Sequence, residues 1–272
     1  MKSWGIVALT IAGVLLLYLL VPKGGQGIVA FCGAASKPAL EAAAAAFERE
    51  TGIRVELHFG GSGDVLSKMM LSASGDLYIP GSPEYMAKAI ELAAVEPSSV
   101  RVLAYLVPAI IVPKGNPKGI AELRDLAKPG VRVAIADPES VCVGEYAVEV
   151  LRCNGLYEEV SANIVMYAES CSRLATLPAM GLVDAVIGWD VFHAWNPDET
   201  EIIYIEPSAM VPKLAYVPAA ISRYSKNPDD ARRFLDFLSS GEGRRCFKDA
   251  GYLLTEEEAR RYAPRAEVPK VG

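Results

Sequence analysis

The sequence predicts an α/β protein of two lobes joined by two hinge crossings and preceded by an N-terminal membrane segment. Three observations carry this expectation. Short apolar strands run into Gly- and Ser-containing turns that open helices, at Phe31–Gly52 and again at Ile53–Met70. A second series of strands and helices begins after residue 130. Two long apolar runs, Val102–Val112 and Lys213–Ile221, bracket that second series. Alternating strand and helix patterns imply parallel sheets with helices on both faces.

The 272 residues allow one or two domains, and an apolar share of 51% supplies material for their cores. A net charge of −6, with no basic stripe, argues against a nucleic-acid partner. An anion bound by this chain must therefore be held by local donors.

Lys2 precedes Trp4–Val21, an uninterrupted stretch of apolar and small residues closed by Pro22-Lys23-Gly24-Gly25. Its length is about that needed to span a bilayer. No A-x-A-like cleavage site follows it, and no Cys stands at its end to take a lipid. The expectation is that residues 1–26 form an uncleaved anchor and linker, with the folded part outside the cytoplasm. Lys2 on the cytoplasmic side agrees with the positive-inside tendency.

Ile28–Phe31 reads as a buried strand. Ser36 then stands where a helix N-cap is expected, with Pro38 in the first turn. The Ala run with Leu40 and Phe47 favours helix, and Gly52 supplies a left-handed stop. Such a turn leaves N–H groups at the carboxyl end of a strand, where α/β sheets bind ligands and helix N-termini favour anions. Taken by itself, Ser36 is better explained as a cap of its own helix.

Ile53–Phe59 alternates strictly, with Ile53, Val55, Leu57 and Phe59 on one face and Arg54, Glu56 and His58 on the other. It runs into Gly60-Gly61-Ser62-Gly63 and a helical pattern through Val65, Leu66, Met69 and Met70. Asp76–Ile79 is the third strand and Pro83–Ala94 the next helix. Pro108 interrupts Val102–Val112, which argues against one regular central strand there.

The second series comprises strand Val131–Ile135, loop Ala136–Gly144, and a helix through Tyr146, Val150 and Leu151. Strand Ile164–Tyr167, loop Ala168–Ser172 and a helix to Met180 follow. Ala185–Gly188 is the next strand, ending in Trp189-Asp190. After Lys213–Ile221 the chain is helical and charged over Asp229–Ser239, Gly241–Ala250 and Thr255–Tyr262. The lobes are thus expected at 27–107 with 216–272, and at 108–215. The cleft between them is a favoured place for a ligand.

None of the five cysteines forms a C-x-x-C pair, and two histidines are too few for a His-based metal site. Outside the cytoplasm a disulfide is permitted, and Cys142 and Cys171 are expected to pack or pair across adjacent loops. Cys153 and Cys246 fall in helical patterns as packing residues. Cys142 or Cys171 with His193 gives no spacing that supports an oriented nucleophile and base, so an enzyme is not the expectation.

With these pieces placed, the chain resembles the substrate-binding proteins of ABC transporters for tetrahedral oxyanions, and most closely the molybdate-binding family. The matching stretches are FCGAAS (Phe31–Ser36), FERETGIRV (Phe47–Val55), FGGSGDVLSKM (Phe59–Met69), GDLYIPGS (Gly75–Ser82), ADPESVCVGEYA (Ala136–Ala147), AESC (Ala168–Cys171) and FLDFLSSGEGRRCFKDAGY (Phe234–Tyr252). The resemblance covers nearly everything after the linker.

It implies a two-lobed type II periplasmic-binding-protein (Venus flytrap) fold and a monomer without cofactor or catalysis. Such a protein captures molybdate or tungstate outside the cytoplasm and delivers it to an ABC permease and its ATPase. It further implies that Ser36 and Ser62 donate to the ligand from the first lobe, and the backbone N–H groups of Val143 and Cys171 from the second. The family often adds a tyrosine hydroxyl after the next strand. This chain has Ile187-Gly188-Trp189-Asp190 there, which leaves Trp189 Nε1 and Tyr146 as candidates for the missing donor.

Sulfate or phosphate is the alternative ligand. A protonated phosphate calls for an acceptor such as Asp64, Asp137 or Glu145, each also readable as a helix-terminus carboxylate. A membrane-tethered anion sensor is the alternative role.

Overall fold

The computed structural model describes residues 27–206, 209 and 211–271. The apolar segment expected as an anchor lies outside these residues. Among the described residues no helix is long and apolar enough to cross a membrane.

The chain opens with β1 (Ile28–Gly33), a 3-10 turn at Ala34–Ser36, and α1 (Lys37–Thr51). Pro38 occupies the first turn of α1, and Gly52 ends the helix at φ 72°, its N–H bonded to the Glu48 carbonyl. The buried stripe Ala39, Leu40, Ala43 and Phe47 has helical spacing. Phe47 meets Phe234 and Phe237 at ring distances of 5.0 and 5.4 Å, so α1 is fixed by a helix from the far end of the chain.

β2 (Val55–Gly60), α2 (Ser62–Ser72), β3 (Leu77–Ile79), α3 (Pro83–Glu91) and β4 (Arg101–Leu106) follow. β2 keeps the alternation read from sequence, with Glu56 and His58 exposed and Val55, Leu57 and Phe59 turned inward.

Val107 alone separates β4 from β5 (Pro108–Pro113). Pro108, having no N–H, starts the new strand rather than interrupting an old one. The second series is β6 (Val133–Ala136), α4 (Cys142–Cys153), α5 (Tyr157–Ser161), β7 (Ile164–Ala168), α6 (Cys171–Ala179), β8 (Ala185–Trp189), α7 (Val191–Trp195) and β9 (Thr200–Tyr204). β10 (Ala215–Ile221) returns to the first sheet. α8 (Pro228–Ser239), α9 (Gly241–Asp249) and α10 (Glu256–Arg260) complete the fold.

The strands form two five-stranded sheets, ordered β2-β1-β3-β10-β4 and β7-β6-β8-β5-β9. Neither is all-parallel, contrary to the expectation from the βα rhythm. β10 is antiparallel to β3 and β4, and β5 is antiparallel to β8 and β9. These are the two strands that arrive from the other sheet, without the helical crossover that makes a neighbour parallel. The sheets share one plan, with β6, β7, β8, β5 and β9 in the places of β1, β2, β3, β10 and β4. That internal likeness, and the elements β9 and α7, were not apparent in the sequence.

One cluster of buried side chains runs through both halves, taking in Ala35 and Tyr85 on one side and Cys142, Tyr146 and Trp189 on the other. The two halves are therefore closed on each other.

Candidate functional site

Four helix starts gather where the halves meet. Ser36 immediately precedes α1, and Ser62 is the first residue of α2. Cys142 and Val143 open α4, and Cys171 opens α6. Each start follows the carboxyl end of a strand, β1, β2, β6 and β7 respectively. β1 and β2 are neighbours in one sheet, and β6 and β7 in the other. First-turn N–H groups have no carbonyl four residues back within the helix, so these ends present free donors and the positive ends of helix dipoles. Val143 and Cys171 thus sit in helical first turns, not in loops as expected.

The side chains confirm how close the ends lie. Ser62 Oγ accepts the Gly81 N–H at 3.0 Å and reaches Cys142 Sγ across the interface at 4.0 Å. Tyr78 Oη donates to the Ser62 carbonyl at 2.9 Å, and Tyr252 Oη to the Ala35 carbonyl at 2.6 Å. α6 packs on the Ala34–Ser36 turn. Gly81 permits this approach. A Cβ there would lie 2.9 Å from Ala35 Cβ and 3.0 Å from Cys142 Sγ. Gly144 seats α4 on the end of β6, since a Cβ there would fall 2.2 Å from the Ala136 carbonyl oxygen.

Ser36 is wholly buried, but its hydroxyl does not cap α1. It donates to the Gly33 carbonyl at 3.0 Å. The reason is local: the 3-10 turn leads directly into the helix, so Ser36 (φ −111°, ψ 10°) lacks the extended conformation that aims a side chain at the first-turn N–H groups.

All five cysteines are free thiols, so the pairing of Cys142 with Cys171 is not formed. The two remain buried neighbours. Hydrogen bonding to Cys142 and burial push the Cys171 thiol well above its usual range, with Trp189 opposing. His193 Nδ1 pairs with Thr200 Oγ1 at 3.1 Å. Cys153, expected to pack, is exposed at the end of α4: it lies with Arg152 on the outer side of a last turn whose inner side is the buried Val150 and Leu151. Among the described residues no group of three or more His, Cys, Asp or Glu could hold a metal ion.

The two candidate replacements for the tyrosine separate clearly. Tyr146 Oη donates to Glu84 Oε1 at 3.0 Å and is engaged. Trp189 is fully buried, meets Tyr146 edge-on at 5.0 Å, and its Nε1 is turned to the Cys171 thiol without reaching good hydrogen-bond geometry. The carboxylates weighed as acceptors are turned to other work. Asp137 accepts Glu139 N and Ser140 Oγ within its own turn, Asp64 is exposed, and Glu145 lies 4.0 Å from Lys213.

Two contributors had no signal in the sequence. Lys213, just before β10, holds Glu84 of α3 and Glu149 of α4, each at 2.9 Å. Asp190 clasps Val107 at the β4–β5 crossing. Its N–H donates to the Val107 carbonyl at 2.9 Å, and its Oδ1 accepts the Val107 N–H at 3.0 Å. Both link residues distant in sequence, which no local pattern reveals.

This geometry can be set beside known proteins. The chain is 27% identical over 236 residues to the molybdate-binding protein ModA of Rhodobacter capsulatus, spanning 84% of this chain and 88% of that one. The periplasmic molybdate-binding protein of Azotobacter vinelandii superposes with a TM-score of 0.74 at 19% identity, covering 84% of this chain and 100% of that one. The sulfate-binding protein SubI of Mycobacterium tuberculosis gives a TM-score of 0.74 at 16% identity, over 89% and 94% of the two chains. These likenesses establish the two-lobed binding-protein fold. The model of one family, bacterial extracellular solute-binding proteins, matches residues 28–253, and the chain belongs to that family.

Proposed function

We propose that this protein is the extracytoplasmic substrate-binding component of an ABC importer. It captures a tetrahedral oxyanion, molybdate or tungstate, between lobe 1 (27–107 with 216–272) and lobe 2 (108–215). The observation that carries this reading is the gathering of four helix N-termini from both lobes around Ser62 and Cys142, 4.0 Å apart.

A dianion taken out of water must have its oxygens satisfied by donors. Neutral donors at converging helix N-termini meet that need without a balancing cation. In this reading Ser36 and Ser62 donate from lobe 1, and the Val143 and Cys171 N–H groups from lobe 2. A ligand touching both lobes binds the closed state better than the open one, and so drives closure by that difference in affinity. The closed form is what the permease, with its ATPase, receives. Residues 1–26 keep the monomeric protein at the outer face of the membrane. The role is capture and delivery, without catalysis.

Sulfate is the second reading, favoured by the equal structural likeness to the sulfate-binding protein. Isothermal titration with molybdate, tungstate, sulfate and phosphate tests both. Molybdate or tungstate is expected to bind most tightly. Tightest binding of sulfate would replace the first reading with the second, and binding of none would overturn both.

A further inference from the structure

The end of lobe 1 away from the cleft is one continuous surface, built where β1 begins. β1 runs from this end to the Ala34–Ser36 turn, so the surface and the anion site lie at opposite ends of the sheet. Backbone bonds stitch it together. Ile28 N–H donates to the Arg54 carbonyl at 2.8 Å, Asp76 N–H to Val29 at 2.7 Å, Ser222 N–H to Asp76 at 2.9 Å and Arg223 N–H to Ala94 at 2.9 Å. A cavity of about 390 Å³ opens in this surface, with Arg54 and Lys226 on its wall beside Ser74, Gly75 and Tyr224. Among the described residues neither cation has an ion-pair partner. Arg223 is a third exposed cation beside them. The carboxylates at this end are Glu56, Asp76, Glu91 and Glu96. Asp76 is buried and accepts from the Val29 N–H, the Ser225 hydroxyl and the Asn227 N–H. Glu56 stands 2.9 Å from His58 and Glu96 3.5 Å from Arg232, which leaves Glu91 exposed at the end of α3. Leu71, in the last turn of α2, is 88% exposed, and Leu92 just after α3 is 45% exposed.

The same surface is where the chain enters. Trp4–Val21 reads as the membrane segment, and Pro22–Gln26 leaves five residues before Gly27. Fully extended, that linker reaches at most about 18 Å. The polar layer of a bilayer takes up about 5–8 Å of it. The remainder is about one Debye length, the distance over which headgroup charge is felt. We propose that this face of lobe 1 is a membrane-docking surface, which sets Arg54, Arg223 and Lys226 on the phosphates of anionic lipid headgroups and Leu71 among the methylenes beneath them. This rests on the anchoring reading of residues 1–26. Cations without a carboxylate partner keep their full attraction for lipid phosphate, and a side chain as exposed as Leu71 gains by leaving water. With a net charge of −6 the chain as a whole is repelled by an anionic leaflet, which draws in this face against that repulsion. Because the face lies opposite the cleft, docking stands the two lobes upright on the membrane, with lobe 2 outermost and free to open.

The test places the full-length chain in nanodiscs of phosphatidylcholine, alone or mixed with phosphatidylglycerol, and reads hydrogen exchange by mass spectrometry. Segments 71–76 and 222–227 are expected to exchange about tenfold more slowly in the mixed discs than in the neutral ones, because amides under a docked face open to water less often. Segment 180–183, the turn of lobe 2 with its own exposed Met180 and Leu182, is expected to exchange equally in both. Arg54→Glu combined with Lys226→Glu is expected to abolish the difference while molybdate affinity stays that of the parent. Should that pair fail to fold, Leu71→Ser, at a side chain that packs on nothing, is expected to reduce the slowing at 71–76. Equal exchange of 71–76 and 222–227 in the two kinds of disc overturns the proposal and leaves the anchoring reading standing. Slowing at 222–227 by inorganic phosphate in neutral discs, with none from the charged lipid, overturns it in favour of a free-phosphate site. A chain that separates from the discs on gel filtration overturns the anchoring reading itself.

Discussion

Ser62 Oγ lies 4.0 Å from Cys142 Sγ although 80 residues separate them, and the same oxygen accepts the Gly81 N–H at 3.0 Å. The hydroxyl proton is thus pointed over the lobe interface at a weak acceptor, which on the proposed reading a ligand oxygen would displace. Ser62→Ala removes that donor and strands the Gly81 N–H. It is expected to weaken oxyanion binding by about 1–3 kcal/mol, the scale of an unmet bond to a charged group. On the same reading Ser36→Ala is expected at the low end of that range, because its hydroxyl would give up the Gly33 carbonyl to donate to ligand. Titration calorimetry on both variants checks this. Unchanged affinity in either removes that serine from the site.

Gly81 tests closure itself. The Cβ of Gly81→Ala would sit 3.0 Å from Cys142 Sγ and 2.9 Å from Ala35 Cβ, contacts tighter than packed side chains tolerate. Ala35 belongs to the same lobe and Cys142 to the other, so part of the strain is relieved by opening. The variant is expected to lose about tenfold in affinity, roughly 1.4 kcal/mol, and to show a larger radius of gyration by small-angle scattering with ligand present. Gly81→Ala combined with Cys142→Ala should recover part of both. A variant as compact and as tight as the parent would show that the lobes do not close on this contact.

These two sites mark how far the sequence reaches. The GAAS and GGSG turns are local patterns, strand to small-residue turn to helix, and both open helices at the interface. The Ser36 cap failed because a 3-10 turn, invisible to propensity, changed its backbone. The crossing at Pro108 was legible as a break, but the antiparallel direction of β5 and β10 was not, because direction follows from which sheet a strand comes from. Lys213 and Asp190 lay beyond reach for one reason. Each gains its meaning from a partner more than 15 residues away, such as the 83 residues between Val107 and Asp190.

Lys213 supplies a charged latch. Its ammonium holds Glu84 of lobe 1 and Glu149 of lobe 2, each at 2.9 Å, and Tyr146 adds a bond to Glu84 at 3.0 Å. Burial opposes its charge, but the bonds to Glu149 and Glu84 still raise Lys213 above its usual value. Burial also raises the nearby Glu145 carboxyl, with Lys213 opposing and Glu84 and Glu149 adding. Lys213→Met leaves these carboxylates facing one another across the cleft. The expected result is a roughly tenfold weaker oxyanion affinity, about 1.4 kcal/mol, partly restored by salt because screening relieves like-charge repulsion. Affinity that is unchanged, or that falls further with salt, would refute the latch.

Asp190 gives the hinge a pH dependence. Burial raises its carboxyl from 3.8 to about 7, with the Val107 N–H and further backbone bonds opposing. The neighbouring Tyr204 and Tyr252 phenols are themselves held above their usual range, Tyr204 by burial and then the Asp190 charge, Tyr252 by burial, then Cys171 and then Asp190. A carboxyl whose folded value exceeds its unfolded one binds its proton more tightly when folded. Its contribution to stability is complete below pH 3.8, declines across the window above it, and is lost as pH rises through about 7. At 1.36 kcal/mol per unit, the full span is about 4 kcal/mol. Asp190→Asn keeps an oxygen to accept the Val107 N–H and has no proton to lose. Urea unfolding at pH 5 and pH 8 is therefore expected to show the parent chain losing stability relative to Asp190→Asn as pH rises, by no more than that span. Parallel behaviour of the two chains across that range would mean that the Asp190 carboxylate is solvated at the crossing and does not govern it.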